Sequence, residues 1–136
     1  MARFHSFNRD DISLRIPIKR GERKQLSTDF HSDEFFSDND PAQEGFVHAA
    51  LIGLLQHIRH TIGKPIIINS GYRSPEHNKT VSKATHSTHI YGMGADIRTN
   101  DPKDLELIEQ IAKPLAGGVK RYARHVHVDT WHQRTW

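Results

Sequence analysis

A chain of 136 residues with a net charge of +3 has room for one domain around one hydrophobic core and is too short for two ordinary ones. It contains no cysteine, which excludes disulfides, thiolate zinc sites and cysteine nucleophiles together, so any metal must be held by histidine and carboxylate. Its longest apolar runs, Ile66-Ile67-Ile68 and the interrupted stretch from Phe46 to Leu55, fall well short of the roughly 20 residues of a membrane-spanning helix, and no stable membrane insertion is expected.

Residues 1–25 mix basic and acidic side chains around Ile12-Ser13-Leu14-Arg15-Ile16-Pro17-Ile18, a short alternation that reads as an edge strand stopped by Pro17. The first ten residues lack the apolar segment of a secretory leader. The chain is therefore expected to be made in a cytoplasm and to reach any outside target by another route. Residues 27–40 read as a polar loop pinned by Phe30, Phe35 and Phe36.

Asp40-Pro41-Ala42-Gln43 has the form of a helix start, with Asp40 as N-cap, Pro41 at the first helical position and Gln43 completing a capping box. Val47, Leu51, Leu54, Leu55, Ile58 and Ile62 follow at three- and four-residue intervals, with His48, Gln56, His57 and Arg59 on the other side and Gly63 as the stop. The pattern predicts one helix from Asp40 to Ile62. Pro65 to Ser70 carries the β-branched run of a buried strand ended by Gly71, and Ser74-Pro75 begins a short helix on the same cap-plus-proline logic. Arg73, between the two, stands where a guanidinium can reach a cleft or make a surface ion pair.

The stretch Ser87 to Ile97 sets His89 and Asp96 on either side of Gly92 and Gly94. Fully extended, these seven steps span roughly 23 Å, whereas two ligands of one zinc ion lie within about 2.0–2.2 Å of it. The pair can share a metal only if the chain doubles back, which glycines permit. A solvated surface hairpin is the alternative. Met93 to Arg98 then returns as a strand, Asp101-Pro102 caps a second helix with Leu105, Ile108, Ile111, Ala112 and Leu115 buried and Pro114 closing it, and Gly117-Gly118 leads to strands Val119–Tyr122 and His125–Thr130. On the last strand His125, His127 and Asp129 share one face and Val126 and Val128 the other. Side-by-side imidazoles fit a site where one ligates and its neighbour moves protons; a half-exposed edge strand is again the plainer reading. His5, His31, His48, His57, His60, His77, His86 and His132 show no ligand spacing and are expected at the surface. The pattern as a whole predicts an α+β single domain with a small, mostly antiparallel sheet and flanking helices.

Ser70-Gly71-Tyr72-Arg73-Ser74-Pro75, Ser87-Thr88-His89 with Asp96 seven residues on, and His127-Val128-Asp129 together resemble the zinc D,D-peptidases of peptidase family M15, including its phage endolysin and YcbK-like members, which share a hedgehog-type fold. The likeness extends to Leu26-Ser27-Thr28-Asp29-Phe30 with Glu34-Phe35 and to the closing Arg134-Thr135-Trp136. It covers about residues 26–136 as the peptidase domain and leaves 1–25 as an N-terminal extension packed on it.

The resemblance implies a zinc peptidase acting on peptidoglycan peptides that contain D-amino acids, as a carboxypeptidase or an endopeptidase. It implies Zn2+ on His89, Asp96 and His127 with water in the open position, His125 as general base and acid, Arg73 as oxyanion stabiliser, and Tyr72, Arg73 and Ser87 against the substrate. The chain departs from the family in one place: many YcbK-like relatives carry an aromatic where His125 stands, and other branches an acidic residue where it has Arg124. Asp129 is the reserve candidate for the base. A phage or prophage lysis enzyme, monomeric, released through a holin or carried in a virion, is the expected setting. Two other readings compete. A metal-dependent nuclease would use His125-Val126-His127 as a His-hydrophobe-His pair and the basic character of the chain, pI about 9.3, but such enzymes carry a tyrosine downstream of the pair, and the last here is Tyr122, so no nucleic-acid partner is expected. The other is a zinc-bound wall-binding module without activity.

Overall fold

In the computed structural model, which describes residues 3–84 and 86–134, the chain runs β1 (Arg15–Lys19), β2 (Glu44–His48), α1 (Ala49–Ile62), β3 (Ile67–Ser70), α2 (Pro75–Val81), β4 (Gly94–Arg98), α3 (Asp104–Ala112), β5 (Val119–Arg121) and β6 (Val126–Asp129). β1 and β2 form a two-stranded sheet, and the other four strands form a second in the order β3-β4-β6-β5, all pairs antiparallel. This is the α+β architecture that the sequence predicts.

Period-two alternation decides which face of the larger sheet does what. Ala95 and Ile97 of β4 and Val126 and Val128 of β6 are fully buried and join Leu51, Leu54, Leu55 and Ile58 of α1 and Leu105, Ile108 and Ala112 of α3 in one core. Full burial of each large aliphatic side chain contributes about 1.5–3 kcal/mol. With that face committed to the helices, a slip of one residue would expose the whole set. The residues between them, Asp96 on β4 and His127 on β6, are thereby held on the other face.

The first predicted helix is shorter than its apolar pattern suggests. Glu44–His48 is a strand, with Arg15 opposite His48 through to Lys19 opposite Glu44, and the helix begins only at Ala49. Val47 and Leu51 keep their four-residue spacing across the junction, so the periodicity does not reveal the break. Asp40 is not the cap of α1. Its carboxylate accepts from Ala42 N at 2.9 Å, from Ser74 N at 2.8 Å and from Ser74 Oγ at 2.8 Å, pinning the start of α2. The cap of α1 is His48, whose Nδ1 accepts from Ala50 N at 3.1 Å; this histidine is buried, against the expectation of a surface position. Gly63 ends the helix in the left-handed region, φ 71°, as predicted.

Pro17 lies inside β1 opposite Phe46 instead of stopping it, which a strand with one unpaired edge tolerates. The segment before β1 lies on the domain, with Phe4 N donating to Leu115 O at 2.9 Å, Ser6 N to Trp131 O at 2.7 Å and Phe7 N to Thr130 O at 3.1 Å. Thr135 and Trp136 of the closing motif lie outside the described residues.

Candidate metal centre

The turn carrying His89 is tight because its backbone closes on itself. Thr88 O accepts from Tyr91 N at 3.2 Å and from Met93 N at 3.0 Å, and His89 O accepts from Gly92 N at 3.2 Å. Gly92 has φ 66°, and a Cβ there would stand 2.6 Å from Phe46 O. Gly94 has no left-handed φ; its role is close approach, since a Cβ would overlap Thr88 Oγ1. The same turn is tied to the Ser70–Pro75 segment: Arg73 N donates to His89 O at 3.1 Å, and His89 Nδ1 lies 2.8 Å from Gly71 O. A carbonyl can only accept, so Nδ1 carries the proton of the neutral ring and Nε2 is left with its lone pair.

Strand register supplies the other two groups. Asp96 is directly opposite His127 in the β4–β6 ladder, and Ser70 is opposite Asp96 in the β3–β4 ladder. Asp96 Oδ1 is 3.3 Å from His89 Nε2 and 3.2 Å from His127 Nδ1. His127 is oriented from behind, its Nε2 lying 2.7 Å from Asp129 Oδ2. Asp129 is fully buried. Its Oδ1 accepts from Gly118 N at 3.0 Å and Trp131 N at 3.1 Å, and its Oδ2 also receives Arg134 Nη2.

This geometry aims two imidazole lone pairs and a carboxylate oxygen at one another, an arrangement that needs a cation among them. Candidate ligand atoms of His89, Asp96 and His127 all lie within 4.8 Å of one another, and the ligand atoms of a tetrahedral zinc site with bonds of about 2.0–2.1 Å sit roughly 3.3 Å apart. The donor set therefore fits zinc, with Asp129 as the carboxylate that fixes the tautomer of a ligating histidine. Without the metal a proton fills part of the need. Burial disfavours the charged His127 ring, but its hydrogen bonds and charge contacts with Asp129 and Asp96 outweigh this and raise its pKa to about 9. Burial would raise Asp96, yet the hydrogen bonds from His127 and His89 hold it far below the usual carboxylate range. Burial keeps His89 below the ordinary imidazole value.

The three groups open into a cleft of about 400 Å³ that is also lined by Arg73, Ser87, Tyr122, His125 and Trp131. His125 Nε2 is 3.8 Å from Asp96 Oδ2, and its ring stacks on Tyr122 with centroids 4.7 Å apart. Arg73 Nη2 is 3.9 Å from Asp96 Oδ2 and 3.3 Å from Ser70 Oγ, while its Nη1 donates to Asn78 Oδ1 at 3.0 Å. Ser87 Oγ accepts from His89 N at 3.3 Å. Tyr72 does not line the cleft: it is buried with its ring 5.2 Å from that of Phe46 and pressed on Gly45. Arg124 is exposed beside a separate hollow with Asn69 and Arg98.

The sequence points to Asp129 as a reserve base and to Arg134 through the closing motif, but not to the roles they have: Asp129 is a buried support of His127, and Arg134 holds Asp129. Asn78, which orients Arg73, has no signal in the sequence. A larger hollow of about 760 Å³ runs along α3 and β5, lined by Glu109, Lys113, Lys120 and Arg121. Glu109 is paired there with Arg121 at 3.4 Å and Lys113 at 3.8 Å, and the chemistry stays with the smaller cleft.

A small α+β domain thus holds a His-Asp-His centre in an open cleft, flanked by a second histidine and an arginine, the kinds of group that metal-assisted hydrolysis requires. The family model described as Peptidase M15 matches residues 28–129, and the chain belongs to peptidase family M15. A zinc D-Ala-D-Ala carboxypeptidase of Streptomyces albus G is 33% identical over 88 residues, 60% of this chain and 34% of that protein. The chain thus spans about a third of the length of this curated relative.

Proposed function

We propose that the chain is a zinc-dependent peptidoglycan peptidase that hydrolyses wall peptides containing D-amino acids. The observation that carries this reading is the convergence of His89 Nε2, His127 Nδ1 and Asp96 Oδ1 in an open cleft, in a chain of the M15 family with a relative named as a D-Ala-D-Ala carboxypeptidase. When bound, the metal would polarise the scissile carbonyl and acidify a water molecule. The protein's own residues do the rest. His125, half-exposed at the cleft wall, accepts the proton of the attacking water at Nε2 and returns it to the leaving amine. Arg73, locked by Asn78 and Ser70, places a fixed positive charge where the carbonyl oxygen becomes negative. Ser87 lines the binding groove, and the net charge of +3 favours approach to an anionic wall.

Incubating the zinc-loaded protein with purified sacculi and reading the released fragments by mass spectrometry tests the reaction. Loss of a terminal D-alanine marks a carboxypeptidase, cleavage within stems or cross-bridges an endopeptidase. Intact sacculi would remove the reading. The proposal includes a phage or prophage lysis role for a monomer that meets the wall only after the inner membrane is opened. Cells expressing the chain are then expected to lyse on co-expression of a holin and to remain intact without it; lysis or export by the chain alone would contradict that role.

A further inference from the structure

Arg9 lies outside the family-matched residues 28–129, yet it touches two parts of the cleft wall. Its guanidinium stands 3.7 Å from the centre of the Trp131 ring and 5.2 Å from that of Tyr91, and its Nη1 donates to His86 O at 2.8 Å. Trp131 and His86 both line the cleft of the metal centre. The Tyr91 hydroxyl is also 3.2 Å from His86 Nδ1, so one half-buried cation joins the loop before His89 to the segment after Asp129. The segment carrying Arg9 holds the Trp131 main chain as well, through the 2.7 Å bond from Ser6 N to Trp131 O. A guanidinium suits this place because it is planar: it can lie on an indole face and donate to a carbonyl at once, which an ammonium does less well.

We propose that Arg9 is a positioning residue for substrate binding, which acts through Trp131 and His86 to fix the two sides of the cleft mouth, so that the part of the Trp131 ring that lines the cleft, with Arg9, Arg134 and His132 packed against the indole, meets the alanyl methyl groups of a wall peptide. This rests on the peptidase reading above. It gives the N-terminal segment a task apart from the metal centre, since the Arg9 guanidinium is engaged by Trp131, Tyr91 and His86.

The experiment uses the zinc-loaded full chain carrying Trp136→Phe, in which Trp131 is the remaining tryptophan of the two. Arg9→Ala is expected to raise acrylamide quenching of Trp131 about twofold and to raise KM for a peptide released from sacculi about five- to tenfold, the size of a shielded cation–π contact. Both kcat and zinc content should stay within about twofold, because the loss is in binding shared by ground and transition states. Arg9→Lys is expected to recover part of both readings. Unchanged quenching overturns the brace, and raised quenching with unchanged KM in an active parent overturns its role in binding. A fall in kcat together with zinc loss also overturns it, since Arg9 would then merely support the metal site. A parent that cuts no wall peptide counts against the peptidase reading, while the quenching result still decides the brace. Should Arg9→Ala fail to fold, Arg9→Gln carries the same readings.

Discussion

At the scale of single residues, the centre is built on proton placement as much as on ligand identity. His127 can present Nδ1 to a metal only while Nε2–H is held by Asp129. In Asp129→Asn the amide keeps an acceptor for Gly118 N and Trp131 N but turns a donor toward Nε2, which favours the wrong tautomer. A loss of about 10–100-fold in zinc affinity is expected, read by competition with a chromophoric chelator. The same hydrogen bonds make metal binding pH-dependent. With its pKa raised from 6.5 to about 9, His127 is protonated in the metal-free protein at neutral pH and must release that proton to ligate. Calorimetry in buffers of differing ionisation enthalpy should find about one proton released at pH 7.5, falling toward none above pH 9. A raised folded pKa also stabilises the metal-free fold below pH 6.5 and is lost as pH climbs toward 9, so the chelator-treated protein should unfold more easily across that interval. His125 is a different case: its contacts are a 3.8 Å approach to Asp96 and the stack on Tyr122. His125→Ala should keep its zinc and lose on the order of 10²–10⁴ in kcat. Loss of the metal instead would make His125 a ligand, and near-normal turnover would place the base elsewhere. Asp129, sealed by four donors, is no longer the natural next choice.

At the scale of elements, the site depends on two turns and one register. Gly92→Ala must adopt φ 66° with its Cβ 2.6 Å from Phe46 O. The αL penalty alone costs about 1–2 kcal/mol, and the carbonyl it meets is backbone that cannot swing away. A lower urea midpoint together with weaker zinc binding is expected, because the same turn carries His89. Unchanged values for both would mean that the turn relaxes freely. The turn is legible in the sequence in part, because two glycines between a histidine and an aspartate let the chain double back but do not by themselves distinguish a metal turn from a solvated hairpin; the alternation of β6 is legible because valines and histidines differ so sharply in polarity. The predicted first helix runs too far toward its N-terminus for a physical reason: a strand followed by a helix can hold the four-residue spacing of Val47 and Leu51 without a break. Asp40-Pro41 looks like a cap because it is cap chemistry, spent on Ser74 in space instead of on its own neighbours. No sequence rule reveals a partner 34 residues away. Nor could spacing show that Ser70, Asp96 and His127 share one row, since pairing register is settled by which faces the core buries.

At the scale of the whole molecule, the question is whether residues 1–25 are an extension resting on a complete domain or part of the domain's own structure. β1 supplies every partner of β2, Ile18 is 2% exposed in the core, and β2 in turn presses Gly45 on Tyr72 and Phe46 on the Gly92 turn. Removing β1 would strip Ile16 and Ile18 from the core, about 1.5–3 kcal/mol for each side chain fully buried, and leave β2 as an unpaired strand before α1. Set against a typical total of about 5–15 kcal/mol, and with each kilocalorie worth about 2–8 °C in a domain of this size, a chain beginning at residue 26 should melt at least about 10 °C lower or fail to fold. Its remaining zinc affinity should fall with it, because the disturbance runs through Phe46 to the turn that holds His89. Thermal unfolding of the shortened and full chains, each with and without zinc, distinguishes the cases. Equal melting temperatures and equal metal affinity would establish residues 1–25 as a dispensable extension and confine their role to the brace that Arg9 makes at the cleft.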